Sequence, residues 1–383
     1  MDALEVLASL AAAFAAIAVF LHVATAWSAS RRCRVPTLAL SEYKGGAPVT
    51  IIRPVCGVDP TDEQTLRSTF ELAYPSYEML FCCASADDPA CALVRRLIAE
   101  YPAAHARLLI GDERVSQNPK LNNVAKGWRE ASHEWIVIAD SNVLMPPDYI
   151  GRLMAEWDPD TGLVSAPPIG WQPDGVWSEL ECAYLNTYQA RWQYAADSLG
   201  VGFAQGKSML WQRRDLEAAG GIWALGSEPA EDAAATKVVR GLGLRVRLAD
   251  GAFPQPLGAR SAAQVWARQL RWARLRRRTF PGFFALEIAS GLLVPLASLV
   301  LAAQVFEVET MPLAAAYVVA WLATEAWLAA AVEWPLTWRS PVMWLLREAL
   351  LPLLWLQAWF GNTMSWRGND MTVAQEQSWL ARS

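Results

Sequence analysis

Trp135-Ile136-Val137-Ile138-Ala139-Asp140-Ser141-Asn142 reads as a buried strand that ends in a polar turn. A short apolar, β-branched run closed by Asp and Asn fits a strand covered on both faces. The same pattern occurs three times upstream. Val49-Thr50-Ile51-Ile52 is closed by Arg53-Pro54, and Met79 to Ala84 and Leu108 to Ile110 are further apolar runs. Between them lie stretches that read as helices: Asp62 to Leu72, Ala90 to Glu100 and Leu121 to Ala131. Strands alternating with helices at this spacing predict an α/β domain with a mostly parallel, Rossmann-like sheet. Ligands of such sheets bind at the carboxyl ends of the strands, which puts Asp88 and Asp140 at the expected edge.

Outside this region the chain changes character. Of its 383 residues, 54% are apolar and only 19% charged, and 20 are Trp. That balance suits a soluble domain joined to membrane segments, since Trp favours the membrane–water interface. Leu4 to Trp27 is long and apolar enough to span a bilayer. Arg31, Arg32 and Arg34 follow it, which argues against a cleaved leader and places that end in the cytoplasm. Phe284 to Phe306 and Met311 to Val332 read as two more spans, joined by a link with Glu307 and Glu309 and no Lys or Arg. A third stretch, Val342 to Phe360, contains Arg347 and Glu348, either paired inside a bundle or marking an interfacial helix. The expected organisation is an N-terminal membrane helix (1–30), a catalytic domain facing the cytoplasm (41–260), an interface helix (261–281), membrane helices (282–362) and a tail (363–383). This predicts a multi-pass protein of the cytoplasmic membrane. The net charge of −5 gives no reason to expect a nucleic-acid partner. Six cysteines without a CxxC pair and only three histidines suit buried reduced thiols better than disulfides or a zinc site.

Several polar groups fall at strand or helix ends. Asp140 can bind a hard cation, with Asn142 adding a carbonyl oxygen; a plain turn is the competing reading. Glu231-Asp232 precedes a helix, where Asp is also a common cap. Asp87-Asp88-Pro89 and Asn118-Pro119-Lys120 open helices in the same way, and Lys120 can grip phosphate at the positive helix end. Gly202 to Leu210 is a glycine-containing loop that reads more readily as a structural turn than as a pocket wall. In Arg268-Gln269-Leu270-Arg271-Trp272 the helical period sets Trp266, Leu270 and Ala273 on one face and Arg268, Arg271 and Arg278 on the other. This is a basic amphipathic helix suited to a membrane surface or to pyrophosphate.

Taken in order, these elements resemble the ceramide glucosyltransferase family, inverting membrane glycosyltransferases with a GT-A fold. The stretch Arg53-Pro54-Val55-Cys56-Gly57-Val58-Asp59-Pro60 is similar to the family's KPLKGVDP. It is followed by Tyr74-Pro75-Ser76-Tyr77-Glu78, Asp88-Pro89, Asn118-Pro119-Lys120, Asp140-Ser141, Glu231-Asp232 and an (Q/R)xxRW match at Arg268 to Trp272. The resemblance implies transfer of a hexose from a UDP-sugar to the primary hydroxyl of ceramide, with inversion. It implies that Asp232 is the base, that Pro54, Asp88, Lys120, Asp140 and Arg271 hold the donor, and that Asp140 and Asn142 hold Mg or Mn. Arg268, Arg271 and Trp272 would complete the diphosphate and acceptor site. Many relatives carry Asp-x-Asp at the metal, whereas Asn142 stands at the third position here. The competing readings are a glycosyltransferase for a hopanoid or glycerolipid and a processive polysaccharide synthase.

Overall fold

The computed structural model describes residues 2–34, 46–361, 363–366 and 369–372. The start of the expected catalytic domain (41–45) and most of the expected tail lie outside these residues. Of that tail, the antiparallel strands Thr363–Trp366 and Asn369–Thr372 are described. The chain divides into two compact units. One comprises residues 1–32, 173–195 and 259–362, and the other comprises 33–172, 196–258 and 363–383.

The second unit is built on a seven-stranded sheet. Its strands are β1 (Val49–Pro54), β2 (Tyr77–Cys83), β3 (Ala106–Ile110), β4 (Trp135–Ala139), β5 (Thr161–Ser165), β7 (Ser208–Gln212) and β8 (Arg245–Leu248). Two further strands, β6 (Pro168–Asp174) and β9 (Phe253–Ala259), pair with each other. The large sheet runs β3-β2-β1-β4-β7-β5-β8. The β1–β2, β1–β4, β2–β3 and β5–β8 pairs are parallel, and β7 runs antiparallel to both β4 and β5. The sheet is therefore mostly parallel, as its first four strands predict.

β1, β2 and β4 are largely buried on both faces, which is why they read as unbroken apolar runs, whereas β3 at the sheet edge is part-exposed. Ile52, Leu80, Ile136 and Ile138 pack on one face with Leu121, Val124 and Trp128 of the Pro119–Glu130 helix. Val49, Ile51 and Val137 pack on the other with Tyr149, Ile150 and Leu153. Gly127 lets the Pro119–Glu130 helix lie close to the sheet, because a Cβ there would stand 2.7 Å from Ile52 Cγ2 and 2.8 Å from Cys82 Sγ. None of the six cysteines is paired in a disulfide, and all but Cys56 are buried.

The first unit is helical. Ala3–Arg32 and Thr310–Ala331 are long and apolar enough to cross a membrane. Pro281–Ser290 and Leu293–Val305 qualify together as a third span but are bent by 54°. The expected single helix over 284–306 is thus broken. At the break the Leu292 N–H donates to Glu348 Oε2 at 2.6 Å rather than to the preceding turn. These helices mark the chain as a membrane protein.

Glu348 and Arg347 lie on Ser340–Trp359, and both are buried. Arg347, 0% exposed, reaches Glu348 at 2.5 Å and Glu325 of the Thr310–Ala331 helix at 2.6 Å. Of the two readings for this stretch, the buried pair is the one observed, with Glu325 as an additional partner. Residues 173–195 group with these helices rather than with the sheet. Polar contacts tie them there: Arg347 donates to the Ala183 carbonyl, Thr187 to Glu325 and Arg191 to Thr25.

Candidate active site

The polar residues of the sheet unit converge at the carboxyl ends of β1 and β4. Arg53, at the end of β1, is fully buried and holds the turn after β4. Its guanidinium donates to the carbonyls of Asp140 (2.8 Å), Ser141 (2.9 Å) and Val143 (2.9 Å). It also donates to Thr65 O at 2.7 Å and to Thr69 Oγ1. The rigid fork of an arginine suits this task, because one side chain satisfies carbonyls that turn away from the sheet. Pro54 is buried beside it at the strand end.

Asp140 is thereby set among cations. Its Oδ1 lies 2.6 Å from Lys120 Nζ and its Oδ2 lies 2.8 Å from Lys207 Nζ. Lys207 also reaches Asn142 Oδ1 at 3.1 Å. Burial pulls the Asp140 carboxyl upward, but the two ammonium groups outweigh it and hold the carboxyl well below the usual range. Lys120 is only 8% exposed and donates as well to Glu231 and to the Gly206 carbonyl at 2.5 Å. Burial works against its charge, yet Asp140 and Glu231 raise its pKa above that of a free lysine.

Lys120 takes this place because Asn118 caps its helix. Asn118 Oδ1 accepts the Lys120 N–H at 2.9 Å, while its amide donates to Glu231 Oε2 at 2.7 Å. Asp232 is the second residue of the Glu231–Gly241 helix and does not cap it; the cap position is Ala230. Asp232 accepts N–H bonds from Gly206 (3.0 Å) and Ala233 (2.8 Å). Burial and the adjacent Glu231 push its carboxyl up to about 6, with Lys120 opposing. It is therefore a carboxylate near neutrality that binds a proton more readily than an ordinary aspartate, as general-base work requires.

Gly206 has little alternative here. A Cβ at that position would meet Glu231 Oε1 at 2.7 Å, Lys120 Nζ at 3.2 Å and Asp232 Oδ2 at 3.4 Å. The loop before β7, which reads from sequence as a structural turn, thus contributes Gly206 and Lys207 to the cluster. The signal was a Gly-Lys pair directly ahead of an apolar strand. Glu231, which sequence alone gives no role, is the partner of both Asn118 and Lys120.

Asp88 sits apart from this cluster. It caps the Pro89–Glu100 helix through the Ala90 N–H at 2.8 Å, and its two oxygens accept the Gly57 N–H at 2.9 and 3.0 Å. It fastens the loop after β1 to the sheet edge. Arg268, Arg271 and Trp272 belong to the helical unit, on the Ala262–Thr279 helix that Ser261 and Gln264 close with a capping box. Val265, Gln269, Leu270 and Ala273 form its buried side. Arg268 does not stand free on the opposite face: it pairs with Glu181, which is 1% exposed.

No three His, Cys, Asp or Glu side chains gather as a metal centre among the described residues. The oxygens of Asp140 and Asn142 do converge on one cationic group, the Lys207 ammonium. That geometry, one carboxylate and one amide carbonyl aimed at one positive charge, fits a hard cation that brings its remaining oxygen ligands from a phosphate.

Glycosyl transferase family 21 matches the chain over residues 9–379. The chain belongs to this family. Ceramide glucosyltransferase 1 of Caenorhabditis elegans is 29% identical over 253 residues, 64% of this chain and 54% of that protein. The ceramide glucosyltransferase of Komagataella phaffii is 30% identical over 288 residues, 60% of this chain and 56% of that protein. The family 21 chain thus spans about half the length of the curated relatives it matches. A mannosyltransferase from Pyrobaculum calidifontis, solved with GDP-Man and Mn2+, aligns over 93% of this chain and 99% of its own. Its TM-score is 0.54 and its identity 22%, a likeness of fold that makes the family 21 chain GT-A-like.

Proposed function

We propose that this family 21 protein transfers a hexose from a UDP-sugar to the primary hydroxyl of ceramide with inversion, giving a glycosylceramide. The observation that carries the reading is Asp232, a carboxylate held by the Gly206 N–H near Lys120 and pushed up to about 6 by burial and by Glu231. In the reaction Asp232 accepts the proton of the lipid hydroxyl as that oxygen bonds to the anomeric carbon. The bond from that carbon to the diphosphate oxygen breaks on the opposite face, and the electron pair leaves with UDP. Lys120 and Lys207 supply positive charge for a diphosphate at the end of β4, where charge stabilisation contributes most to such transfers. Arg53 keeps the β4 turn in place. Asp88 shapes the loop after β1, beside Pro54, for the nucleotide.

A divalent ion, Mg or Mn, would be held by Asp140 and Asn142 together with the donor's phosphates, and it supplies further positive charge to the departing diphosphate. The family motif assigns Arg271 to the diphosphate and Trp272 to the acceptor. The positive charges after the first helix favour a sheet unit in the cytoplasm, with the helical unit in the inner membrane as several passes. A two-chain lipid leaves a bilayer only at large cost, so an enzyme for it gains from being membrane-bound.

The test is direct. The full chain in detergent is given ceramide, Mg2+ or Mn2+ and, in turn, UDP-glucose, UDP-galactose and UDP-glucuronic acid, and lipids are read by mass spectrometry. A glycosylceramide whose anomeric configuration is opposite to the donor's is expected. Transfer to a glycerolipid or hopanoid but never to ceramide would overturn the acceptor assignment.

A further inference from the structure

The seat between Asp140 and Asn142 is filled by a cation of the chain itself. The Lys207 ammonium lies 2.8 Å from Asp140 Oδ2 and 3.1 Å from Asn142 Oδ1. Strand pairing puts it there. β7 runs antiparallel to β4 with Ser208 opposite Ala139, and the Asp140 N–H donates to the Lys207 carbonyl at 3.0 Å. The backbone of Lys207 is thus fixed beside Asp140, while its flexible stem sets where the charge goes. An ion that took Asp140 Oδ2 and Asn142 Oδ1 together needs the place where these oxygens converge, which the ammonium fills. The two lysines on Asp140 differ in how firmly they are held. Lys120, with 8% of its side chain exposed, also serves Glu231 and the Gly206 carbonyl, so its departure would strand Glu231. Lys207 is the more exposed of the two, at 16%. It is the one that can move.

Charge decides when it moves. Asn142 is neutral, so the two ligands bring a single negative charge, and Lys120 remains beside it. A divalent ion entering alone would face both ammonium groups at close range in a site with little water, where like charges repel strongly. A diphosphate reverses the balance, because it brings negative charge to the ion and a new partner to the displaced ammonium. We propose that Lys207 is a resident counter-cation. It holds Asp140 and Asn142 in the pose of a cation site and yields that seat to a divalent ion only as the diphosphate of a nucleotide takes up its ammonium. Ion and nucleotide then enter as a coupled pair, each raising the other's affinity by the same factor. The inference rests on the donor site proposed above, which it deepens by naming the exchange of charge that loads it. It differs from a plain phosphate contact in one respect: Lys207 opposes the ion until the nucleotide arrives.

The full chain in detergent, stripped with a chelator, is titrated with Mn2+ with and without UDP. Free Mn2+ is read by electron paramagnetic resonance, with UDP in buffer as the blank. In the wild type UDP should tighten Mn2+ binding by about 5–150-fold, the usual range for coupled sites. Lys207→Met should bind Mn2+ alone about ten-fold more tightly than wild type, the scale of one charged hydrogen bond, and UDP more weakly. A lysine that only grips phosphate would weaken UDP and leave the affinity for Mn2+ alone unchanged. Amine acylation mapped by mass spectrometry follows the ammonium in the unmutated chain, so the test does not depend on the variant folding. Saturating Mn2+ alone should raise acylation of Lys207 on the order of ten-fold while that of Lys120 stays low, and UDP should lower it again. Lys207 acylation that ignores Mn2+, or a Lys207→Met chain that binds Mn2+ no more tightly than wild type, would overturn the proposal and leave the transfer reaction standing. Absence of Mn2+ binding in every state would overturn it together with the ion's part in the reaction. Coupled binding without glycosylceramide from any UDP-sugar would keep the counter-cation and remove the reaction instead.

Discussion

Replacing Lys120 by Met tests the electrostatic reasoning more sharply than any other change in the sheet unit. Its ammonium is the shared partner of Asp140, at 2.6 Å, and of Glu231, and it also bonds the Gly206 carbonyl at 2.5 Å. Met keeps the length and packing of the side chain and removes the charge. Two nearly buried carboxylates then lose their common cation, although Asp140 keeps Lys207. Breaking a buried pair on one side typically costs about 3–5 kcal/mol. At ~2–4 °C per kcal/mol for a domain of this size, the Tm should fall by about 6–20 °C. A second effect has a definite sign. Lys120 lowers the pKa of Asp232, so its removal moves that carboxyl further above its wild-type value of about 6. A base works only when deprotonated. The acid limb of the kcat/KM profile, near pH 6 in the wild type, should therefore move to higher pH. Intrinsic tryptophan fluorescence on heating gives the first quantity, and initial rates across pH 5 to 9 give the second, a range set by the reference and shifted carboxyl values. A variant with unchanged Tm and an unchanged acid limb would show that Lys120 does not hold this cluster together.

Lys207→Met should raise the KM for the UDP-sugar by about 10–100-fold, the equivalent of one charged hydrogen bond, with little change in the KM for ceramide; donor and acceptor titrations separate the two. Gly206→Ala forces a Cβ into the space 2.7 Å from Glu231 Oε1, and kcat/KM should fall by about 10²-fold as the carboxylates move, measured at saturating lipid. In the helical unit, Arg347→Met strands Glu325 and Glu348 and should destabilise the protein by about 3–5 kcal/mol. Adding Glu325→Gln should recover part of that loss, read as the yield of monodisperse protein in detergent.

The sequence was most readable where one interaction dominates. β3, at the sheet edge, is only partly buried, but β1, β2 and β4 are covered on both faces and their apolar runs state this without ambiguity. Asp140 was legible for the same reason, because a carboxylate directly after such a strand must lie at the sheet edge. β5, β7 and β8 left weaker traces: short strands beside glycine-rich loops give no period to count, and the antiparallel direction of β7 is set by pairing with β4 over a long separation. Lys207 was hidden with it, since its value comes only from lying opposite Asp140. Glu231 read as lying just ahead of a helix; it is the helix's first residue and the counter-charge of Lys120. In the helical unit, hydropathy located the spans but could not show the bend after Ser290, which follows from Glu348 capturing the Leu292 N–H. Helical period likewise set Arg268 on the polar face and could not reveal that Glu181 waits there.

The central claim is that Asp232 is the base of a sugar transfer to a lipid hydroxyl, and Asp232→Asn addresses it most directly. Wild type and variant, in the same detergent with UDP-sugar and ceramide, are compared by kcat/KM across pH. The account predicts an acid limb near pH 6 in the wild type, set by a carboxyl at about 6. In the variant it predicts a rate about 10²–10⁴-fold lower with that limb gone. A variant that keeps both its rate and the limb would remove Asp232 from the chemistry.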